Sequence, residues 1–359
     1  MELPFIGFKG CNTKKRKTPE NNKPKIALPF LGFEGKSAVA NGVEQPAAKV
    51  EATHTIQELE KEGYDFNAEV EKFVEPFVPA ITAKEYKRIE EAPQHLVVTN
   101  GVDSTNPVWQ EARALRATGS IIATAMGLNP YESKESLTRK KVWPQPWVPV
   151  PACTWGNEKE DEAMKCLKEW FAANVGQSRP DGKVLKSFEV KEFGLCVCQD
   201  PGMSWAAMSP DGLVWETFED GTTEVSLIEI KCPWRYSPLN SRGRRPGAHF
   251  YPMKLQPDGS GPHPLPPYYW TQLIWGMNLL NPMNGGVPIP KCYFVVWAPV
   301  GKGGRIQLTE VPNNTDYFAT TMKPALWEWW RHKFVPAMVM KQAGLLDEGE
   351  VNLPVEVDM

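Results

Sequence analysis

The sequence predicts an α/β domain, and three observations carry that prediction. Strand-like runs bounded by turn signals recur between Lys186 and Val311. Helical spacing of apolar residues appears before them at Glu160–Phe171, between them at Tyr268–Leu280, and after them at Tyr317–Met340. Composition is ordinary for a globular protein, with 42% apolar and 23% charged residues. At 359 residues there is room for one large domain with appendages. Helices interleaved with strands are the pattern of an α/β layer architecture.

Several classes are excluded early. The net charge of −3 rules out a generally basic nucleic-acid binder, so any such surface must be a local patch. No run of about 18 apolar residues exists, and no membrane association is expected. The first residues lack the apolar core of a signal peptide. Seven scattered cysteines, an odd number, predict a reducing, intracellular compartment. Cys196 and Cys198 (LCVCQ) read as buried apolar side chains, since no second pair lies at zinc spacing. Nor is there a set of four to hold an iron–sulfur cluster.

Residues 1–55 read as a tail rich in Lys, Pro, Asn, Gly and Ala without periodicity. LPFIGFKG at Leu3–Gly10 returns as LPFLGFEG at Leu28–Gly35. Phe5, Phe8, Phe30 and Phe33 then read as paired docking anchors, or as a chance duplication, or as a strand that folds back on its own domain. Between the repeats, Lys14-Lys15-Arg16-Lys17 reads as a nuclear-import signal, a nucleic-acid patch or a solvated tail. Residues 56–105 form an acidic, helical lead-in, and the folded domain is expected from residue 106 to 343.

Within the domain, a helix is expected through Arg116, then a turn at Thr118-Gly119, then a second helix with Ser120 as N-cap. A helix N-terminus with Arg113 and Arg116 just before it suits a phosphate. The same residues also fit an ordinary cap beside surface arginines. In WGNEKEDEAMKCLKEWF, Glu160, Ala163, Met164, Leu167 and Phe171 share one face. Glu160 is the acid on that otherwise apolar face, and a carboxylate aimed at a core wants a metal or a basic partner.

The stretch SPDGLVWETFEDGTTEVSLIEIKCPW (Ser209–Trp234) carries the chemistry. Side chains alternate along a strand, so Leu227, Glu229 and Lys231 share one face and Ile228, Ile230 and Cys232 take the other. A Glu and a Lys two apart in an apolar strand fit a structural ion pair. With Asp211 on the turn before the neighbouring strand, they also fit an oxygen-ligand site for Mg²⁺. Metal-assisted phosphodiester hydrolysis is the chemistry such a set performs. Downstream, Arg235–Pro267 is an irregular insertion with Arg235, Arg242, Arg244 and Arg245, either a backbone clamp or a solvated loop. In the helix YYWTQLIWGMNLL, Tyr269 and Gln272 are surface neighbours three apart. A hairpin follows at Lys291–Ala298 and Arg305–Val311. Residues 344–359, acidic without Lys or Arg, are expected to fray.

Asp211, Glu229 and Lys231 resemble the PD-(D/E)xK nuclease signature. The longer strings SPDGLV and EIKCPW are similar to those of the lambda-type exonucleases, also called the YqaJ-like viral recombinase family. The resemblance covers roughly Trp109 to Val339, with the motifs in the family's order. It implies a restriction-endonuclease-like core, a mixed central sheet flanked by helices. It implies Mg²⁺, with Mn²⁺ substituting, held by Asp211, Glu229 and the Ile230 carbonyl, with Glu160 acting through water. Lys231 would position the attacking water and Gln272 orient it, with Tyr269 completing the family's Tyr-x-x-Gln. Arg113 and Ser120 match a pocket for the 5′-phosphate of the cut strand. Where another basic ligand is expected this chain has Tyr131, for which Lys134 or Arg139 would substitute. The implied activity is 5′-to-3′ digestion of double-stranded DNA, leaving 3′ single strands for viral or phage recombination. The implied context is a homo-oligomeric ring acting on duplex ends with a strand-annealing protein, in the host cytoplasm or nucleus. A structure-specific or endonucleolytic enzyme on the same core, and a non-catalytic DNA-end-binding protein, remain as alternatives.

Overall fold

The computed structural model describes residues 56–77, 107–145, 150–198, 200, 202–237, 265–299, 304–347, 349 and 351. The repeats with Phe5, Phe8, Phe30 and Phe33, the basic run at 14–17, and Arg242, Arg244 and Arg245 lie outside these residues.

In chain order the helices are α1 (Ile56–Lys61), α2 (Phe66–Val74), α3 (Pro107–Ala114), α4 (Ile122–Ala125), α5 (Lys134–Val142), α6 (Pro151–Asn174) and α7 (Pro267–Leu279). They end with α8 (Thr315–Tyr317), α9 (Lys323–Trp329) and α10 (Val335–Gln342), joined by π-turns at Phe318–Met322 and Trp330–Phe334. The strands are β1 (Ala117–Thr118), β2 (Leu185–Lys191), β3 (Cys196–Val197), β4 (Ala206–Met208), β5 (Gly212–Phe218), β6 (Thr223–Lys231), β7 (Lys291–Ala298) and β8 (Arg305–Pro312).

Five strands form one mixed sheet in the order β2-β5-β6-β7-β8. Only the central β6–β7 pair is parallel. A small sheet, β1-β4-β3, lies apart from it. The β5–β6 hairpin closes at Glu219-Asp220-Gly221. Asp220 accepts from the Thr222 N–H at 2.8 Å, and Gly221 takes a positive φ of 85°. A parallel pair cannot be joined by a hairpin, so the chain must cross over one face of the sheet between β6 and β7. Helix α7 lies on that crossover, and Pro267 starts it where a missing N–H costs nothing. The helix sits close: a Cβ built on Gly276 would meet Leu227 Cδ2 at 2.9 Å and the Met208 side chain at 3.2 Å.

The alternation expected in β6 divides two cores. Val225 and Leu227 pack with α7 residues Leu273, Ile274 and Met277 in the larger one. Ile228, Ile230 and Cys232 pack on the other face with Met164, Leu167 and Phe171 of α6. The sheet is thus covered by a helix on each side, and the expected mixed sheet flanked by helices is the fold observed.

Three boundaries need correction. The folded unit begins well before residue 106: Phe66, Val70, Val74 and Phe77 are buried in the larger core. Ser204 Oγ donates to the Phe77 carbonyl at 2.7 Å, and Arg331 pairs with Glu71. Nor does the C-terminal segment simply fray after 343, because Leu345, Leu346 and Val351 are buried in that same core. Finally, α3 ends at Ala114 and the chain runs into β1, so Ser120 is no N-cap. It is the middle residue of a 3₁₀ turn, Gly119–Ile121, leading into a helix of only four residues. Such a helix has too few aligned peptides to build an anion site at its N-terminus. Among the described residues no helix is long and apolar enough to cross a membrane.

Candidate active site

The acidic centre forms where β5 begins and β6 ends. The last antiparallel pair there is Gly212 with Ile228, which leaves the Ile230 N–H beyond the ladder. Asp211 Oδ2 accepts that N–H at 2.6 Å, which fixes the carboxylate against the strand end. Glu229 and Lys231 stand side by side on the α7 face and form an ion pair. Gln272 of α7 donates from Nε2 to Glu229 Oε1 at 2.7 Å. Lys231 Nζ lies 5.5 Å from the centroid of the Tyr269 ring. Tyr269 and Gln272, three apart, therefore reach two adjacent charged groups. Glu160 approaches from α6, the helix on the opposite face, near enough to feel Asp211, Lys231 and Glu229.

Charge in this cluster is unbalanced. Glu229 is 1% exposed, and burial followed by Asp211 pushes its carboxyl up to about 7 against the pull of Lys231 and Gln272. Burial, then Asp211, with Glu229 adding to them, raises Glu160 to about 8, and Lys231 opposes the shift. Asp211 is also raised by burial, against the pull of Lys231 and the Ile230 N–H. Burial acts against the charge on Lys231, but Glu229 and Asp211 outweigh it and hold the ammonium above its usual range. Three carboxyls thus face one cation.

These residues fit a divalent ion. Glu229 Oε2 is buried and has no hydrogen-bond partner. A buried carboxylate oxygen left without a partner is costly, and a cation would satisfy it. Among the described residues no group of three or more His, Cys, Asp or Glu is gathered tightly enough to enclose a metal by itself. A divalent ion that keeps several of its waters needs only one or two carboxylates from the protein.

A second polar site adjoins the first. Arg113 Nη2 donates to Ser120 Oγ at 2.9 Å. The preceding residue, Gly119, packs on α7 so closely that an added Cβ would lie 3.5 Å from Gln272 Cγ. The two residues matched to a phosphate pocket are therefore together, and the residue beside them packs against Gln272 of the acidic centre. Arg116 points elsewhere, donating to the carbonyls of Ser204 and Ala112 at 2.8 Å each. Arg139 is exposed and donates to the Gly349 carbonyl at 2.7 Å, so it is not brought to Ser120. The basic side chain of α5 that reaches the backbone at the end of α3 is Lys141. Its Nζ donates to the Arg116 carbonyl at 3.0 Å and the Arg113 carbonyl at 3.4 Å. Burial and Arg113 lower it to about 7. Sequence reasoning missed it. The available signal was its spacing, four after Leu137 and three after Thr138, both buried.

Residues 108–279 match the model of the YqaJ-like viral recombinase domain. The matched span starts in α3, which carries Arg113, and closes with the last residue of α7, which carries Gln272. No curated protein matches the chain. With the mixed sheet and its flanking helices, this match makes residues 108–279 similar to a YqaJ-like viral recombinase domain and supports the lambda-type recombinase/exonuclease family, whose members are generally nucleases.

Proposed function

We propose that the protein is a Mg²⁺-dependent exonuclease that digests one strand of duplex DNA from a 5′ end and leaves a 3′ single strand for recombination. The observation that carries this reading is the convergence on Glu229. Lys231 and Gln272 bind one of its oxygens, its other oxygen is unpartnered, and Asp211 and Glu160 stand beside it.

Asp211, Glu229 and the Ile230 carbonyl would hold the ion, with Glu160 acting through water; Mn²⁺ would substitute. When bound, the ion supplies Lewis-acid stabilisation of charge growing on the phosphate. Lys231 is cationic and holds the attacking water beside the phosphorus. Gln272, fixed through its amide N–H on Glu229, turns its carbonyl oxygen towards that water's proton. Tyr269 covers the Lys231 ammonium and keeps it over the strand end. Arg113 and Ser120 would receive the terminal 5′-phosphate, one as a charged donor and one as a hydroxyl donor. Duplex ends are then the substrate, and a homo-oligomeric ring working with a strand-annealing protein is the assembly this reading carries with it.

The test is digestion of linear duplex with and without Mg²⁺, comparing 5′-phosphate, 5′-hydroxyl and closed circular DNA. The phosphorylated end should be cut about 10- to 100-fold faster than the hydroxyl end, the worth of a charged hydrogen bond. Arg113→Ala should lose that preference more than it loses basal cleavage. Cutting of closed circles at the linear rate would favour an endonuclease, and binding without hydrolysis an end-binding protein.

Glu160 gives a sharper check on the helix register. Glu158 and Glu162 of α6 are exposed, and Glu162 pairs with Lys159. Glu160→Gln should lower cleavage about 10- to 100-fold, the usual loss when a residue that orients a metal's ligands is removed. Glu158→Gln and Glu162→Gln should stay near wild type. Equal losses in all three variants would remove Glu160 from the site.

A further inference from the structure

Lys231 is connected to the protein surface by a run of tyrosine rings. Tyr269 lies against its ammonium group. The Tyr268 ring meets Tyr269 edge-on with centroids 4.6 Å apart, and Tyr131 meets Tyr268 edge-on at 5.7 Å. Tyr131 is 81% exposed, well above any other large hydrophobic side chain among the described residues.

The ring is nevertheless held in place. Asn129 Oδ1 accepts the Tyr131 N–H at 3.0 Å, and Asn129 Nδ2 donates to Thr124 Oγ1 at 2.8 Å. Thr124 is 2% exposed in α4. An Asx turn anchored in the core therefore presents Tyr131 at the rim, with most of its ring in solvent. Helix α4 follows directly on the turn that carries Ser120. The exposed ring thus sits on the segment that follows Ser120, and its aromatic contacts lead to Lys231.

A neutral ring cannot hold a phosphate by charge. What it offers is a π face, and every nucleobase presents a complementary one. We propose that Tyr131 is a stacking platform for a nucleobase at the DNA end entering the site. The end would be held at two points, its phosphate by Arg113 and Ser120 and a base by Tyr131. Stacking accepts any base, so this grip adds affinity without sequence preference, as successive removal of nucleotides requires. The proposal rests on the nuclease reading above.

The experiment measures KM and kcat on short 5′-phosphorylated duplexes for wild type, Tyr131→Ala and Tyr131→Phe. The side chain is exposed, so neither change threatens folding. Tyr131→Ala should raise KM about 5- to 100-fold, the range that loss of one base–aromatic stack gives, with a smaller change in kcat. Tyr131→Phe keeps the π face and should restore KM. A duplex with an abasic residue, placed at each terminal nucleotide in turn, should cost the wild type a similar factor at one position. That penalty should vanish in Tyr131→Ala. In parallel, end binding is read with Ca²⁺ in place of Mg²⁺ by quenching of 2-aminopurine at that nucleotide, and Tyr131→Ala should lose the quenching. An unchanged KM in Tyr131→Ala, an abasic penalty that persists in it, or undiminished quenching overturns the proposal. A wild type that quenches 2-aminopurine but cuts no duplex overturns the nuclease reading instead and leaves the platform standing.

Discussion

Glu229→Gln should abolish DNA cleavage and, in metal-free buffer, make the protein harder to unfold. Cleavage should fall by at least about 10²- to 10³-fold, the usual cost of removing one preorganised electrostatic contact at a reacting centre. Stability should move the other way because the native carboxylate is in an unfavourable place. It is buried, one oxygen is unpartnered, and Asp211 and Glu160 repel it. Gln has the same shape and can still accept from Lys231 and Gln272, and Asp211 still balances the lysine. A gain of about 1 kcal/mol corresponds to a melting-temperature rise of about 2–4 °C for a domain of this size.

The sign with pH follows from linkage. Burial and Asp211 raise the folded-state pKa of Glu229 from 4.5 to about 7, so the folded protein binds more protons than the unfolded chain between those values. This contribution to stability is complete below about pH 4.5 and is lost as pH rises through about 7. With chelator present, the advantage of Glu229→Gln should therefore grow from pH 5 towards pH 8. Added Mg²⁺ should raise the melting temperature of the wild type but not of the variant. A variant that melts below the wild type at pH 8 in chelator would refute the strained-carboxylate account.

The acidic centre was largely legible in the sequence because its signals are local. Two-residue alternation placed Glu229 and Lys231 on one face, and a Pro-Asp-Gly turn placed Asp211 beside the neighbouring strand. Helical spacing singled out Glu160, and the resemblance to the family's Tyr-x-x-Gln singled out Tyr269 and Gln272. That α6 and α7 bring those residues to one strand end from opposite faces is a property of the β6–β7 crossover, and no local pattern encodes it. Elsewhere composition misled. Acidic residues in the C-terminal segment outnumber the three apolar ones, Leu345, Leu346 and Val351, that are buried. In the lead-in the apolar period is regular only from Phe66 through Val70 to Val74, after an irregular start. Ser120 looked like a cap because Ser before an apolar run is a common helix start. A short parallel pairing of β1 with β4 intervened, and the hydroxyl is used by Arg113 instead.

On the α6 side of the sheet, Arg179→Ala should cost about 3–5 kcal/mol of stability while leaving the chemistry of the folded enzyme unchanged. Glu216 of β5 has 0% exposure and faces α6 with Val214 and Phe218. Burial raises its pKa, and Arg179 heads the groups that pull it back down, with Lys291 and hydrogen bonds from Arg179 and Tyr293 adding to that pull. The Tyr293 hydroxyl reaches both carboxylate oxygens, at 3.1 and 3.0 Å, and Arg179 pairs with one of them. The guanidinium also lies 5.1 Å from the centroid of the Phe218 ring. Removing Arg179 leaves a buried carboxylate without its main counter-charge, which is what makes breaking such a pair cost about 3–5 kcal/mol. The melting temperature should fall by roughly 6–20 °C. Adding Glu216→Gln to Arg179→Ala should recover much of the loss, because the stranded charge is then gone. Glu216 lies five residues along β5 from Asp211, roughly 16 Å at strand spacing, so cleavage per folded molecule should hold at temperatures below melting. A single variant that melts like the wild type would show Glu216 to be neutral in the fold, and a double variant no better than the single would show that lost packing on Phe218, not charge, sets the cost.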